Sequence, residues 1–520
     1  MMETLQADVI IIGGGIGGCT AALAASKRGK KVIMTEETDW IGGQLTSQAV
    51  PPDEHQWIEQ FGCTRTYRDF RNRVREYYRR HYPLKEEARR DERLNPGKGW
   101  VSRLCHEPKV ALAVLQEMLI PFTSSGRLQI FTDYKVTGAD VDGDDVRSVT
   151  VQHADGRFKK LQGQYYLDAT ETGELLPLAG VEYVTGAEAK KDTGELHAPE
   201  EARSQDMQSF TYVFAVDYVE GGNFVIEKPE QYEFWKEYQA PFLQHKQLSW
   251  FAPDAHTGGS KEFAMFHHED LWGLWDYRRI VDPKLFVEGT YEGDISLINW
   301  PQNDYWRGSI IDVSEEDREK HIHESKQLSL SLLYWLQTEA PRPDGGNGYP
   351  GLRLRGDILG TEDGLAKYPY IRESRRIKAV STVVEEDINA NTRDGIKQVE
   401  DSVGIGCYRI DLHPTTETNT FFYAESYPFE IPMGALLPVR VNNVLPACKN
   451  IGSTHITNGC FRVHPVEWNI GESAGYLAAF AIEKGVLPRD VREDQALLRE
   501  FQALLVEEGI ELKWPEIGAI

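Results

Sequence analysis

Ala7-Asp8-Val9-Ile10-Ile11-Ile12-Gly13-Gly14-Gly15-Ile16-Gly17-Gly18 decides how this chain is read. The apolar run 9–12 reads as a buried parallel strand. It breaks at once into Gly13-x-Gly15-x-x-Gly18, and residues 19–26 (CTAALAAS) read as a close-packed helix. Gly13 allows a tight turn, Gly15 lets a pyrophosphate approach the main chain, and Gly18 lets helix and strand pack closely. The free N–H groups and positive dipole end of the helix then face the phosphates. After a basic turn at 27–31, a second strand, Val32–Thr35, ends in Glu36, 18 residues past Gly18. An acid there accepts hydrogen bonds from both hydroxyls of an adenosine ribose and repels a 2′-phosphate, which argues against NADP. The alternative, a glycine-rich turn that binds nothing, lacks a reason for this context.

The 520 residues suggest two to four structural units, with 41% hydrophobic residues to fill their cores. A formal net charge of -24 repels nucleic acid and anionic membranes, so neither is expected as a partner. No apolar run is long enough for a membrane span, and the acidic first eight residues do not read as a signal peptide. Six cysteines without a Cys-x-x-Cys pair form no disulfide framework, which favours the cytoplasm.

The one basic concentration comprises Arg65, Arg68, Arg71, Arg73, Arg75, Arg79 and Arg80, interleaved with Tyr67, Phe70, Val74, Tyr77 and Tyr78 at helical spacing. It reads as an amphipathic helix with solvated arginines, the sharper alternative being an arginine-lined entrance for an anionic substrate. It lies in a polar helical excursion, about 53–100, that follows the turn Asp39-Trp40-Ile41-Gly42-Gly43-Gln44-Leu45. A helix at 109–118 and short strands at 128–131, 136–141 and 146–152 lead to Tyr165-Tyr166-Leu167-Asp168-Ala169-Thr170-Glu171-Thr172-Gly173-Glu174. Residues 210–430 alternate less regularly and read as a second domain with one clear helix, 317–336. No second dinucleotide motif appears. A strand at 444–447 then opens a dense block containing Gly452-Ser453-Thr454-His455, Arg462-Val463-His464-Pro465 and a small-residue helix at 471–479.

These segments, with Tyr370-Ile371-Arg372-Glu373-Ser374-Arg375-Arg376, resemble the FAD-dependent oxidoreductases of the glutathione-reductase-like class. The nearest resemblance is to the broad bacterial family that also embraces the flavin subunit of heterodisulfide reductase. It implies an α/β architecture: a Rossmann-like FAD-binding domain with a parallel sheet, interleaved with a β-rich α+β substrate domain. The expected boundaries are 1–209 and 435–520 for the FAD domain and 210–434 for the substrate domain.

The resemblance also implies roles. Gly13, Gly15, Ile16, Gly17 and Gly18 cradle the pyrophosphate of FAD, and Glu36, with Glu37 beside it, holds the ribose. Gly42, Gly43, Gln44 and Leu45 approach the flavin. Val136 meets adenine through its backbone, and Ala169, Thr170 and Gly173 close over the diphosphate. A helix beginning near Gly471, with Glu472, Ser473 and Ala474, points its positive end at the flavin pyrimidine edge.

The cysteine clusters of the heterodisulfide-reductase type are missing, as is a redox pair beside the flavin. The expectation is therefore an FAD dehydrogenase or oxidase taking hydride from a small polar substrate: an amine, amino acid, sugar or hydroxy acid. The alternatives are a flavin monooxygenase using NAD(P)H and a non-catalytic flavin subunit of an electron-transfer complex. His464 and His455 are candidate bases, with Arg462 between them. Arg372 and Arg375 either clamp a carboxylate or pair with neighbouring acids. His321, His323, His267 and His268 read as surface residues, so no metal is expected. A homo-oligomer is left open.

Overall fold

The computed structural model describes residues 2–254 and 257–520. At its centre lies a parallel sheet in the order Val444–Pro446, Tyr165–Asp168, Val9–Ile12, Val32–Thr35, Leu128–Phe131. The inner strands, VIII, VIMT and YYLD, are buried throughout, as expected of parallel strands covered on both faces. Val9 stands opposite both Val32 and Tyr165.

Helix α1 (Ile16–Lys27) leaves the first of these strands and packs along most of its length against a helix from the other end of the chain. Glycine makes this possible. A Cβ on Gly18 would lie 2.0 Å from the Gly13 carbonyl oxygen, and one on Gly17 would lie 1.7 Å from that of Ala447.

Helix α2 (Arg65–His81) is capped by Thr64, whose side chain accepts from Tyr67 N–H. It buries the expected stripe of Tyr67, Phe70, Val74 and Tyr78 and leaves Arg65 and Arg80 exposed, but two of its arginines depart from the expected solvated face. Arg71 and Arg75 face inward: Arg71 bridges Glu54 and Glu59 at 2.8 Å each, and Arg75 reaches Glu59 at 2.6 Å. Arg71 and Arg75 neither solvate a surface nor line an entrance; they neutralise buried glutamates that precede the helix.

Helix α3 (Pro108–Ser124) runs longer than the expected 109–118. A second sheet follows, Tyr134–Asp142, Asp145–His153 and Phe158–Gln162, joined in parallel at its edge by Glu3–Gln6. A third, antiparallel sheet orders Arg279–Val281, Ile295–Ile298, Phe214–Tyr218 and Leu352–Leu354. Helix α4 (Glu315–Thr338) shares with this sheet a separate aromatic core that includes Trp235, Trp300 and Tyr305. Helices α5 (His455–Phe461) and α6 (His464–Lys484) follow the last strand of the central sheet. Among the described residues no helix is long and apolar enough to cross a membrane.

Candidate cofactor and substrate site

The carboxyl ends of Val9–Ile12, Val32–Thr35 and Tyr165–Asp168 converge on one cleft, the usual ligand position in such sheets. Its walls bring together Gly13, Glu36, Glu37, Val136, Ala169, Thr170 and Glu171, residues from across the first third of the chain. Glu36 is fixed from three sides. Its carboxylate accepts from Gly14 N–H at 2.8 Å, from Thr38 N–H at 2.9 Å and from Thr38 Oγ1 at 2.8 Å. Burial lifts its pKa to about 7 against the pull of those donors. Asp168 accepts from Thr170 N–H and Oγ1, and burial raises it to about 6.

The turn before α1 meets the turn Gly42–Leu45 at Gly15 and Gly43. Gly42 and Gly43 both take positive φ, 108° and 50°, which lets this segment fold back over the helix start. A Cβ added at Gly15 or Gly43 would lie 2.6 or 2.5 Å from one Glu171 carboxylate oxygen. An anion therefore rests in the glycine cradle at the N-terminus of α1. It is a protein carboxylate lying against the two glycines at the start of α1, and the free N–H groups of a helix N-terminus with no Cβ in the way suit the phosphate oxygens of a dinucleotide. Lys449 holds the other Glu171 oxygen at 2.5 Å and Glu467 at 3.2 Å, and Gln44 Nε2 donates to Glu467. Neither Lys449, Glu467 nor Glu171 figured among the sequence-derived site residues, although Glu171 sits within a quoted motif.

The C-terminal assignments need correction. The helix expected to begin near Gly471 begins at His464, with Pro465 in its first turn. Gly471, Glu472, Ser473 and Ala474 are mid-helix and buried, so no free N–H group there can face a flavin. Gly471 is instead the contact with α1, where an added Cβ would lie 2.2 Å from the Gly17 carbonyl oxygen. Ser473 donates to the Val403 carbonyl at 2.7 Å. Gly173 packs against Ser374 and Arg375 rather than into the cleft. Ile16 and Gly17 are buried in the first turn of α1, and Leu45 is a core residue of the facing turn.

The expected catalytic residues separate into four environments. His464 is sealed: Nδ1 accepts from Asp53 N–H at 3.0 Å, Nε2 donates to the Val50 carbonyl at 3.2 Å, and burial pushes its pKa down to about 4. Both ring nitrogens are committed to backbone, so it is no base.

His455 binds Glu373 through Nδ1 at 2.9 Å. Burial opposes its charge, but the Glu373 carboxylate lifts its pKa above the ordinary value. The ring lines a cavity of about 290 Å³ with Glu188, Glu195, Phe421 and Phe422. Arg375 leaves the candidate clamp altogether, pairing with Asp312 at 2.7 Å and with the Thr172 carbonyl.

Arg372 and Arg462 do meet, around Tyr370. Arg462 donates to the Tyr370 hydroxyl at 2.9 Å, and the Arg372 guanidinium lies 4.8 Å from the centre of the same ring. Arg372 also pairs with Asp304 at 2.9 Å. This cluster adjoins the turn beyond Gly43. Gln44 Nε2 donates to the Arg462 carbonyl, and Gln48 Oε1 accepts from Ile371 N–H. Sequence reasoning missed a third arginine here, Arg278.

The family described as FAD dependent oxidoreductase matches residues 8–505. N,N-dimethylglycine/sarcosine dehydrogenase of Chromohalobacter salexigens is 44% identical over 59 residues, 11% of this chain and 8% of that protein. FAD-dependent monooxygenase ntnJ of Nectria sp. is 38% identical over 61 residues, 12% of this chain and 14% of that protein. The chain thus spans 8% to 14% of the length of these curated relatives. Among solved structures, the OxyS anhydrotetracycline hydroxylase of Streptomyces rimosus is similar over 96% of this chain and 66% of its own, at 13% identity and a TM-score of 0.35. The FrdA chain of E. coli quinol fumarate reductase covers 97% and 74%, at 11% identity and a TM-score of 0.34.

Proposed function

Because the chain belongs to the FAD dependent oxidoreductase family, we propose that it oxidises a C–H bond of a small polar molecule, as a dehydrogenase or an oxidase. FAD, when bound, would accept the hydride, and the proton released from the neighbouring O–H or N–H would pass to bulk solvent. The chain's own residues bind, orient and exclude water. Main-chain amides at the start of α1 hold the diphosphate and Glu36 holds the ribose, with Val136, Ala169 and Thr170 walling the cleft. Gln44 and Gln48, both fully buried, close the far end of the turn against solvent. Arg372 and Arg462 offer guanidinium donors beside Tyr370, where a substrate's polar groups are oriented. His455 acts at one remove: it fixes Glu373, and through it the backbone of Arg372, so it is a positioning residue.

The observation that carries this reading is the anion already seated against Gly15 and Gly43, continuous with the cleft at Glu36. The test is anaerobic. Protein loaded with FAD is mixed with a panel of amines, amino acids, hydroxy acids and sugars without nicotinamide. Bleaching of the flavin by a member of the panel is the expected result. Bleaching by NADPH alone overturns it in favour of a monooxygenase.

A further inference from the structure

Arg278 is a buried guanidinium that forms no hydrogen bond among the described residues. It is 6% exposed, and its Nε and Nη1 have no partner. Its nearest acid, Asp53, lies 3.6 Å from Nη1, outside hydrogen-bonding distance. Its charge faces Asp53, Tyr277, Tyr370 and Tyr408, and it rests on the Tyr277 ring at 4.8 Å.

Tyr370 thereby has three arginines around it: Arg278, Arg372 and Arg462. Each has an aspartate near it: Asp53, Asp304 at 2.9 Å and Asp411 at 3.5 Å. Formal charge therefore balances, but hydrogen bonding does not. Nε of Arg372, Nε of Arg462, Nδ2 of Asn299 and Nε2 of Gln48 are buried without partners, along with the two nitrogens of Arg278. Unpaired acceptors nearby are fewer: Oδ1 of Asn458, Oε1 of Gln44 and the hydroxyl of Ser209. Leaving buried donors unpaired is expensive, and for charged donors more so.

We propose that this cluster is a carboxylate site, with Arg278 as its anchor, and that the substrate of the oxidation is a small carboxylic acid. The proposal rests on the reading of the protein as an FAD-dependent dehydrogenase or oxidase and narrows its substrate class. An ionised carboxylate is an acceptor at every lone pair and matches a guanidinium fork in two parallel bonds. Arg278 is the anchor because it has the most unused donors and the weakest internal partner. Arg372 and Arg462 are already held, through Nη1 and Nη2, by Thr211, Ser209, Tyr370 and the Asp411 carbonyl. Both keep a buried, unpartnered Nε–H.

The test titrates the FAD-loaded protein with succinate, lactate and N-acetylglycine, each against its uncharged amide. Visible flavin absorbance and thermal unfolding are the readouts. At least one acid is expected to bind about tenfold or more tightly than its amide. Arg278→Gln should abolish that preference while FAD content stays full. Arg278→Lys, which keeps a point charge without the fork, should retain only about a tenth of the affinity. Equal binding of acids and amides by the native protein overturns the proposal, as does absence of acid binding. Loss of FAD from either variant also overturns it, since Arg278 then serves the cofactor. Should Arg278→Gln fail to fold, Arg278→Lys and the native comparison decide. Native protein that takes up no FAD would instead sink the reading of function on which this inference rests.

Discussion

Lys449 Nζ lies 2.5 Å from a Glu171 carboxylate oxygen, and Glu467 approaches the same ammonium to 3.2 Å. The ammonium is fully buried, so this triad is shielded from solvent and salt. It places one of the protein's own anions at the proposed seat of the FAD phosphates.

Glu171→Gln should therefore bind FAD more tightly than the native chain, by about tenfold, because a charged competitor leaves the seat. Fluorescence titration of stripped protein with FAD measures this directly. An unchanged or weaker affinity means that Glu171 does not compete. Lys449→Met acts on stability instead. It strands two carboxylates in the interior, and a loss of about 3 kcal/mol in denaturant unfolding is expected.

The glycines of the first turn divide by what their missing Cβ would meet. At Gly15 that is the end of the Glu171 side chain, while at Gly17 it is the Ala447 backbone at 1.7 Å. Gly15→Ala is expected to fold normally and to lose FAD affinity. Gly17→Ala should lower the unfolding midpoint, with a cost of about 3 kcal/mol or more, because neither backbone can yield. Circular dichroism melts beside FAD titrations separate the two. Equal melting temperatures for both variants would contradict the geometry.

Arg71→Met leaves Glu54 and part of Glu59 unpaired in the interior. The expected loss is about 3–5 kcal/mol of unfolding free energy, with no change in FAD affinity. A loss under about 1 kcal/mol would place the pair among ordinary surface bridges.

The pH dependence of the cofactor-free protein follows from its buried acids. Burial raises Glu36 from 4.5 to about 7 and Asp168 from 3.8 to about 6, and raises Glu467 as well. Between the unfolded and folded values the native state binds more protons, so stability falls as pH rises through this window. His455 adds to the slope: its raised folded pKa contributes stability below its ordinary value of 6.5 that is lost at higher pH. His464, held at about 4, works the other way below 6.5, so the fall is read above that point: unfolding at about pH 6.5 should need more denaturant than at about pH 8.5. Glu467→Gln should flatten the difference, and an unaltered slope would remove Glu467 from this account.

The central sheet was readable because its strands are short uninterrupted apolar runs bounded by turns, and the glycine turn with Glu36 because its meaning is local. Glu3–Gln6 was not readable as a strand. It is a polar edge segment, held by main-chain pairing to Lys159 and its neighbours rather than by side-chain burial. The small residues from Gly471 onward drew attention to the α1 contact, while Pro465, the better signal of a helix start, marks the true beginning. Arg71 looked solvated because its glutamates precede the helix. Arg278 was hidden for a related reason: Tyr277-Arg278-Arg279 has no local feature separating an inward arginine from an outward one. Only tertiary packing puts Asp53 and Tyr370 beside it.

One edge of the central sheet is completed by Val444–Pro446 on Tyr165–Asp168, with Tyr166 facing Val444. A nascent chain emerging from the ribosome must therefore keep Tyr165–Asp168 unpaired on that side until residue 446 has cleared the exit tunnel. Throughout that interval the strand is an open template for misassembly, and shielding by a chaperone matters most then. Slowing synthesis between the two strands should lower the yield of native protein more than the same delay placed after the second.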